Sequence, residues 1–353
     1  MQRSPREAGF SLVELMIAMG VMIALTAVVM TYTTDSIRIA TATNEMTEAQ
    51  QSLRAAQDFI ARDLVAVGDG MEDIKAPRLT KAFLNNHLTK APATDTNNTL
   101  GVLGVVTSDD QVPAGTTVPN ESLAGIITLL TGSDRLTIMK MDPEFNGGAT
   151  ISLAAGTVTN NGQTVTLPPN TNMTQFALND IYFFTSGDGS AFGAVTGVDA
   201  ATRVLSFTAG DRYGINQGVT TSPINVVVGK GTKAASMMRM LVTSYFVDST
   251  GLLIRRVFGV GGGKGLADTV VAEHVVNLQF RYFLDQTDAS GNVVAPATKL
   301  TTETEQGDVR QVEVAVTTET AHALTKGTKP QISMTGSMSV RGMQFNQHLQ
   351  PNN

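Results

Sequence analysis

The run from Phe10 to Tyr32 constrains this chain more than any other feature, because its only polar side chains are Ser11, Glu14, Thr26, Thr31 and the tyrosine hydroxyl. At 1.5 Å per residue such a helix is about 34 Å long, enough to cross a bilayer. Arg3 and Arg6 precede it against one acid, Glu7, and the first charge beyond it is Asp35. The positive-inside rule predicts a single-pass segment with its N-terminus in the cytoplasm and the rest of the chain beyond the membrane.

A secretory signal peptide has an apolar core of about 7 to 15 residues that ends in a small-residue cleavage site. Here the run is longer, no A-x-A-like site closes it, and the small residue, Gly9, stands before it. A basic hydrophilic leader, Gly9, Phe10, a glutamate (Glu14) fifth after the glycine and an apolar helix follow one another in order. This arrangement resembles the class III leader of type IV prepilins. The resemblance implies that a prepilin peptidase cuts between Gly9 and Phe10 and methylates the new amine of Phe10, so both are substrate positions for another enzyme. It also implies that Glu14 is an assembly contact, meeting the N-terminal amine of a neighbouring subunit. The implied partners are the prepilin peptidase, other minor and major pilins, an inner-membrane assembly platform and membrane lipid. The implied route runs from an inner-membrane prepilin to the periplasm, then to a pilus tip or the cell surface.

Glu14 has a physical argument of its own. A carboxylate near the bilayer centre costs about 2.5 to 3.5 kcal/mol on insertion scales, so it needs a partner or an escape to the interface. It sits only about a turn into the helix, where snorkelling also relieves part of that cost. Both readings stay open from the sequence.

Composition narrows the chemistry. The chain has no cysteine, which excludes disulfides, thiolate zinc sites and thiol catalysis. Many major pilins close a C-terminal loop with a disulfide, and this chain departs from them. Its formal charge is −6, and removal of the leader makes the remainder more acidic by one. An acidic ectodomain is a poor general ligand for nucleic acid.

Past the membrane segment no proline occurs between Pro5 and Pro77, and Met46, Ala49, Leu53, Ala56, Ile60, Leu64 and Val67 recur at helical spacing. The helix is therefore expected to continue through 33–67 as an amphipathic rod, with an Asp58–Arg62 pair on its solvent side and a stop at Gly68-Asp69-Gly70. Residues 68–175 read as an irregular, β-containing insertion. Strands are expected there at Ile126–Leu130, Leu136–Met141 and Thr164–Leu167, with a hairpin turn at Asn161-Gly162. Residues 176–347 read as an antiparallel sheet domain and 348–353 as a tail. Its expected strands are Ile181–Thr185, Val195–Val198, Arg203–Phe207, Met240–Val247, Leu252–Phe258, Val275–Leu284, Val309–Thr317 and Gln331–Val340. The predicted class is α+β and pilin-like: a long N-terminal membrane-spanning helix packed on a β-rich globular domain.

Leu241 to Val247 with Tyr245, then Gly251-Leu252-Leu253-Ile254-Arg255-Arg256, then Ala272 to Phe283, then Val309 to Val314 are similar in order to strands of PilW-type minor pilins and of the J-type pseudopilin of type II secretion. The resemblance implies a minor pilin that initiates or caps a pilus, or the corresponding pseudopilin. A third reading makes 71–172 the reader of a tip-borne adhesin or ligand-binding module.

No enzyme signature stands out. Gly259 to Gly265 is phosphate-loop-like but lacks the Walker glycine at Phe258 and the hydroxyl at Gly265, so a hairpin loop is expected. His87, His274, His322 and His348 have no metal-ligand spacing, and His274 is expected to cap a strand. Asp285, Asp288, Ser290 and Asn292 do not match an EF-hand and read as an Asx-rich turn. Lys230, Lys233, Arg239, Arg255, Arg256 and Lys264 read as a solvated basic face. No catalytic residue, metal or cofactor is predicted.

Overall fold

The computed structural model describes residues 11–68, 78–88, 100–102, 104–120, 125–187, 189–216, 223–228, 231–260, 265–287, 291–322 and 329–340. Its spine is one helix, Leu12–Val65, of 54 residues and about 81 Å. Ser11 caps it, and it runs as one element through Thr31. The hydroxyls of Thr26, Thr31, Thr33 and Thr34 donate to the carbonyls four residues earlier at 2.7 to 2.9 Å. These donors are thus satisfied inside the helix, which is what an apolar solvent requires. Among the described residues this is the one helix long and apolar enough to cross a membrane, and residues 11–40 are exposed in the isolated chain.

The second half of the helix changes character as the stripe predicts. Leu53, Ala56, Ile60, Leu64 and Val67 are fully buried against the sheets, while Met46 remains 37% exposed. Arg62 lies over the ring of Phe59 at 5.1 Å rather than pairing with Asp58, a cation–π contact that replaces the expected ion pair.

The β-rich region is built around Ala235–Val247, a strand of 13 residues. Its first half pairs with Ile181–Ser186 and Ile151–Leu153, and its second half with Arg135–Met141 and Leu253–Val260. Leu253–Val260 continues to Gly265–Ala272. A separate three-stranded sheet runs Val275–Leu284, Val309–Glu319, Gln331–Ser339. The long helix crosses Gly265–Ala272 and the last two strands of that sheet, closing the main core. A second core forms around Phe145, Phe184, Phe207 and Met237, beneath a small sheet made of Gly197–Asp199, Val204–Ser206, Thr164–Thr166 and Val158–Thr159. Among the described residues strand pairing is antiparallel except at Arg78 and Ala191. A long apolar helix followed by antiparallel sheets is the α+β, pilin-like class expected from the sequence.

Strands on either side of position 175 pair with one another: Arg135–Met141 is a direct neighbour of the central strand, and Thr164–Thr166 pairs with Val204–Ser206. Thr/Asn/Gly-rich connections hid this, because they resemble an irregular insertion while linking strands of common sheets. Val195–Val198 is not one strand. The ladder ends at Ala194, and a new strand begins at Gly197. Asn161 and Gly162 do lie in the connection of a hairpin, a longer one in which Asn160, Asn161 and Gly162 all have positive φ.

Candidate functional site

At the N-terminus of the helix the Ser11 hydroxyl accepts from the Val13 amide at 3.3 Å, and Glu14 Oε2 accepts from the Ser11 amide at 3.0 Å. This is a reciprocal capping box, which satisfies amide groups that a helix start leaves unpaired. The isolated chain thereby gives Glu14 a local partner, for which Ser-x-x-Glu is the sequence signature. The bond uses one oxygen of a carboxylate that has two. Gly9 and Phe10 lie outside the described residues.

A second polar assembly ties this helix to the head. Asp63 is 1% exposed and lies in the last turn of the helix, where the backbone dipole disfavours an acid. Three groups compensate it. Tyr245 donates its hydroxyl at 2.7 Å, Arg255 its Nε at 2.6 Å and Lys140 its Nζ at 3.0 Å. Burial pushes the Asp63 carboxyl up, but the bonds from Arg255 and Tyr245 outweigh it and hold it below its ordinary value. Burial beside Asp63 pushes the Tyr245 hydroxyl well up, so it stays a donor.

The sheet register explains why these residues converge. Tyr245 and Arg255 are directly opposed on paired strands, and Leu136–Met141 brings Lys140 alongside Leu241 on the other edge. Directly opposed side chains share a face, so one carboxylate reaches both. Tyr245 and Arg255 are the tyrosine and arginine of the strand motifs found in the sequence. Asp63 was missed, although an acid three residues after Ile60 on a buried stripe is a visible anomaly.

Of the other basic residues expected on a solvated face, Lys233 is exposed, but Arg256 and Arg239 are turned into the protein. Arg256 is 1% exposed and makes a bidentate pair with Asp268, its cross-strand partner, with two bonds of 2.6 Å. Arg239 binds Asp142 at 2.6 Å and approaches Asp180 at 3.6 Å. Alternating strand faces turned these arginines toward acids in the protein. Lys230 and Lys264 lie outside the described residues.

A shallow cleft of about 350 Å³ lies between helix and sheet, lined by Glu45, Glu48, Ser52, Glu273, His274 and Glu319 among others. Glu45 on its wall also meets His322, whose Nδ1 lies 2.6 Å from Oε1. No group of metal ligands occurs among the described residues. His274 has a φ of 56° just before Val275–Leu284, which places it at the start of that strand as expected. Gly259 and Gly265 lie in a pair of adjacent antiparallel strands, with 261–264 outside the described residues. Of the Asx-rich turn, Asp288 and Ser290 also lie outside them.

No curated protein and no solved structure matches this chain. Residues 4–30 match the family model of the prokaryotic N-terminal methylation motif, so the chain carries the N-terminal signature of type IV pilin-like and pseudopilin proteins.

Proposed function

We propose that the protein is a minor pilin, a structural subunit that helps to initiate or cap a type IV pilus after cleavage between Gly9 and Phe10. The match of residues 4–30 to the methylation motif carries this reading. In it, methylated Phe10 becomes the first residue, and Glu14 exchanges its capping bond for the cationic amine of a neighbouring subunit. Such a pairing gains strength in a low-dielectric surrounding. The exposed apolar surface of residues 11–40 then packs first against lipid and later against other pilin helices. The Asp63 lock transmits force between that helix and the head, which suits a subunit held in a filament by its helix alone.

The ordered strand motifs favour a PilW-like subunit, and they suit the J-type pseudopilin of a type II secretion system equally. Deleting the gene and counting surface pili tests the proposal. Loss of pili, restored by the intact gene and not by Glu14→Ala, is expected. Unchanged piliation with loss of protein secretion would assign the pseudopilin role instead.

A further inference from the structure

The last strand, Gln331–Ser339, pairs with Val309–Glu319 over nine consecutive residues without a register shift. Among the described residues no strand pairs with its other edge. It contains neither charge nor proline, the usual protections of an open edge. The Val340 amide donates to the Arg310 carbonyl, and the Pro330 carbonyl accepts from Thr320. Even-numbered residues thus turn their peptide groups inward, and Ser333, Thr335, Ser337 and Ser339 present theirs to the open edge.

The apolar layer stops short at this edge. Val312, Val314 and Val316 are fully buried, whereas Ile332, Met334 and Met338 beside them are only partly so. Over the middle of the strand lies Gln57 of the long helix, whose Nε2 is 3.3 Å from where a Cβ on Gly336 would stand. That nitrogen is buried and has no hydrogen-bond partner among the described residues. A buried amide donor needs an acceptor.

The sequence after Val340 alternates: Met343, Phe345, Gln347 and Leu349 fall between Gln344, Asn346, His348 and Gln350. We propose that the open edge of Gln331–Ser339 is a strand-addition site and that its occupant is the segment 344–350 of the same chain. Ser339 pairs with Gln344 across a four-residue connection that contains Gly342, which suits the positive φ such hairpin loops demand. Phe345 then lies across from Met338 and Leu349 across from Met334, and both complete the apolar layer. Gln347 lies across from Gly336, where its carbonyl oxygen meets Gln57 Nε2. A one-residue slip would bring Gln344, Asn346 and His348 onto the apolar face. The short connection favours the chain's own segment over a second copy through its high effective concentration.

Amide hydrogen exchange on the full-length protein in detergent tests this. Ser333, Thr335 and Ser337 amides are expected to be protected, and to exchange at least tenfold faster when the chain is stopped after Arg341, while Met334, Gly336 and Met338 keep their protection. Unprotected odd-numbered amides in the full-length chain would overturn the proposal. The chain has no cysteine of its own, so Met338→Cys with Phe345→Cys is a clean second test. An intramolecular disulfide in the monomer is expected. A disulfide-linked dimer would make a second copy the occupant, and no disulfide at all would overturn the pairing.

Discussion

Replacing Asp63 with asparagine keeps the volume of the side chain and removes its charge. Arg255 and Lys140 then lose their counter-ion while remaining largely covered, each with 17% of its side chain exposed. Breaking a buried ion pair from one side costs about 3 to 5 kcal/mol. The residual water contact of both cations places Asp63→Asn near the lower end, at about 3 kcal/mol. With a urea slope of about 3 kcal/mol/M, the unfolding midpoint falls by about 1 M. The assay is urea unfolding of the detergent-solubilised full chain by near-UV circular dichroism, which reads tyrosine packing because the chain has no tryptophan. Tyr245→Phe removes one bond to a charged group and costs about 1.5 to 3 kcal/mol. The double variant falls short of the sum, since both changes act on one carboxylate. A loss below about 0.5 kcal/mol for Asp63→Asn, or strict additivity with Tyr245→Phe, would refute the lock. Because the folded Asp63 carboxyl is held below 3.8, its contribution is present above that pH and is lost as pH falls through the folded value.

Burial, then Arg256 and Arg135, lowers the His87 ring to about 4, so its contribution is present above pH 6.5 and is lost as pH falls toward 4. His87→Phe, packed against Phe83 and Phe258, is expected to make the acid limb of a stability-versus-pH curve shallower by up to one proton. Burial raises Asp134 and Asp180 to about 6, so their contributions are present below pH 3.8 and lost as pH rises through 6. Asparagine at either site is expected to steepen the acid loss in the same titration. Gly259 has a φ of 74°, and a Cβ there would stand 2.7 Å from the Met240 carbonyl oxygen. Gly259→Ala is expected to lower the urea midpoint by an amount corresponding to about 1 to 3 kcal/mol. Ser11→Ala removes the helix cap at a cost of about 1 kcal/mol and is expected to lower amide protection in the first helical turn without moving the midpoint of the head.

The helix and the long hydrophobic strands were legible because their signals are local. A stripe at three- and four-residue spacing becomes Leu53, Ala56, Ile60 and Leu64 against the sheets, and alternation in Val275–Leu284 marks that strand to the residue. Gly189–Ala194 and Gly265–Ala272 were missed for the converse reason. Their small or mixed residues show no period, and they become strands only because paired neighbours fix them. The polar lock was half legible. Tyr245 and Arg255 stood out within ordered motifs, but their common partner lies 182 and 192 positions away, and no spacing rule links such distances. The basic cluster shows the same limit: charges counted along the chain say nothing about Asp268 and Asp142, the acids that the fold brings to Arg256 and Arg239. At the N-terminus, by contrast, the whole signal is contiguous, and Ser11 and Glu14 meet within one turn.

The mass of the N-terminal peptide of the protein recovered from membranes tests processing most directly. A chain beginning at Phe10 with a methylated amine is predicted, together with retention of the leader when the Gly9–Phe10 bond is blocked by substitution of Gly9. A mature chain that still begins at Met1, or one cut beyond Tyr32 so that the apolar helix is lost, would contradict it.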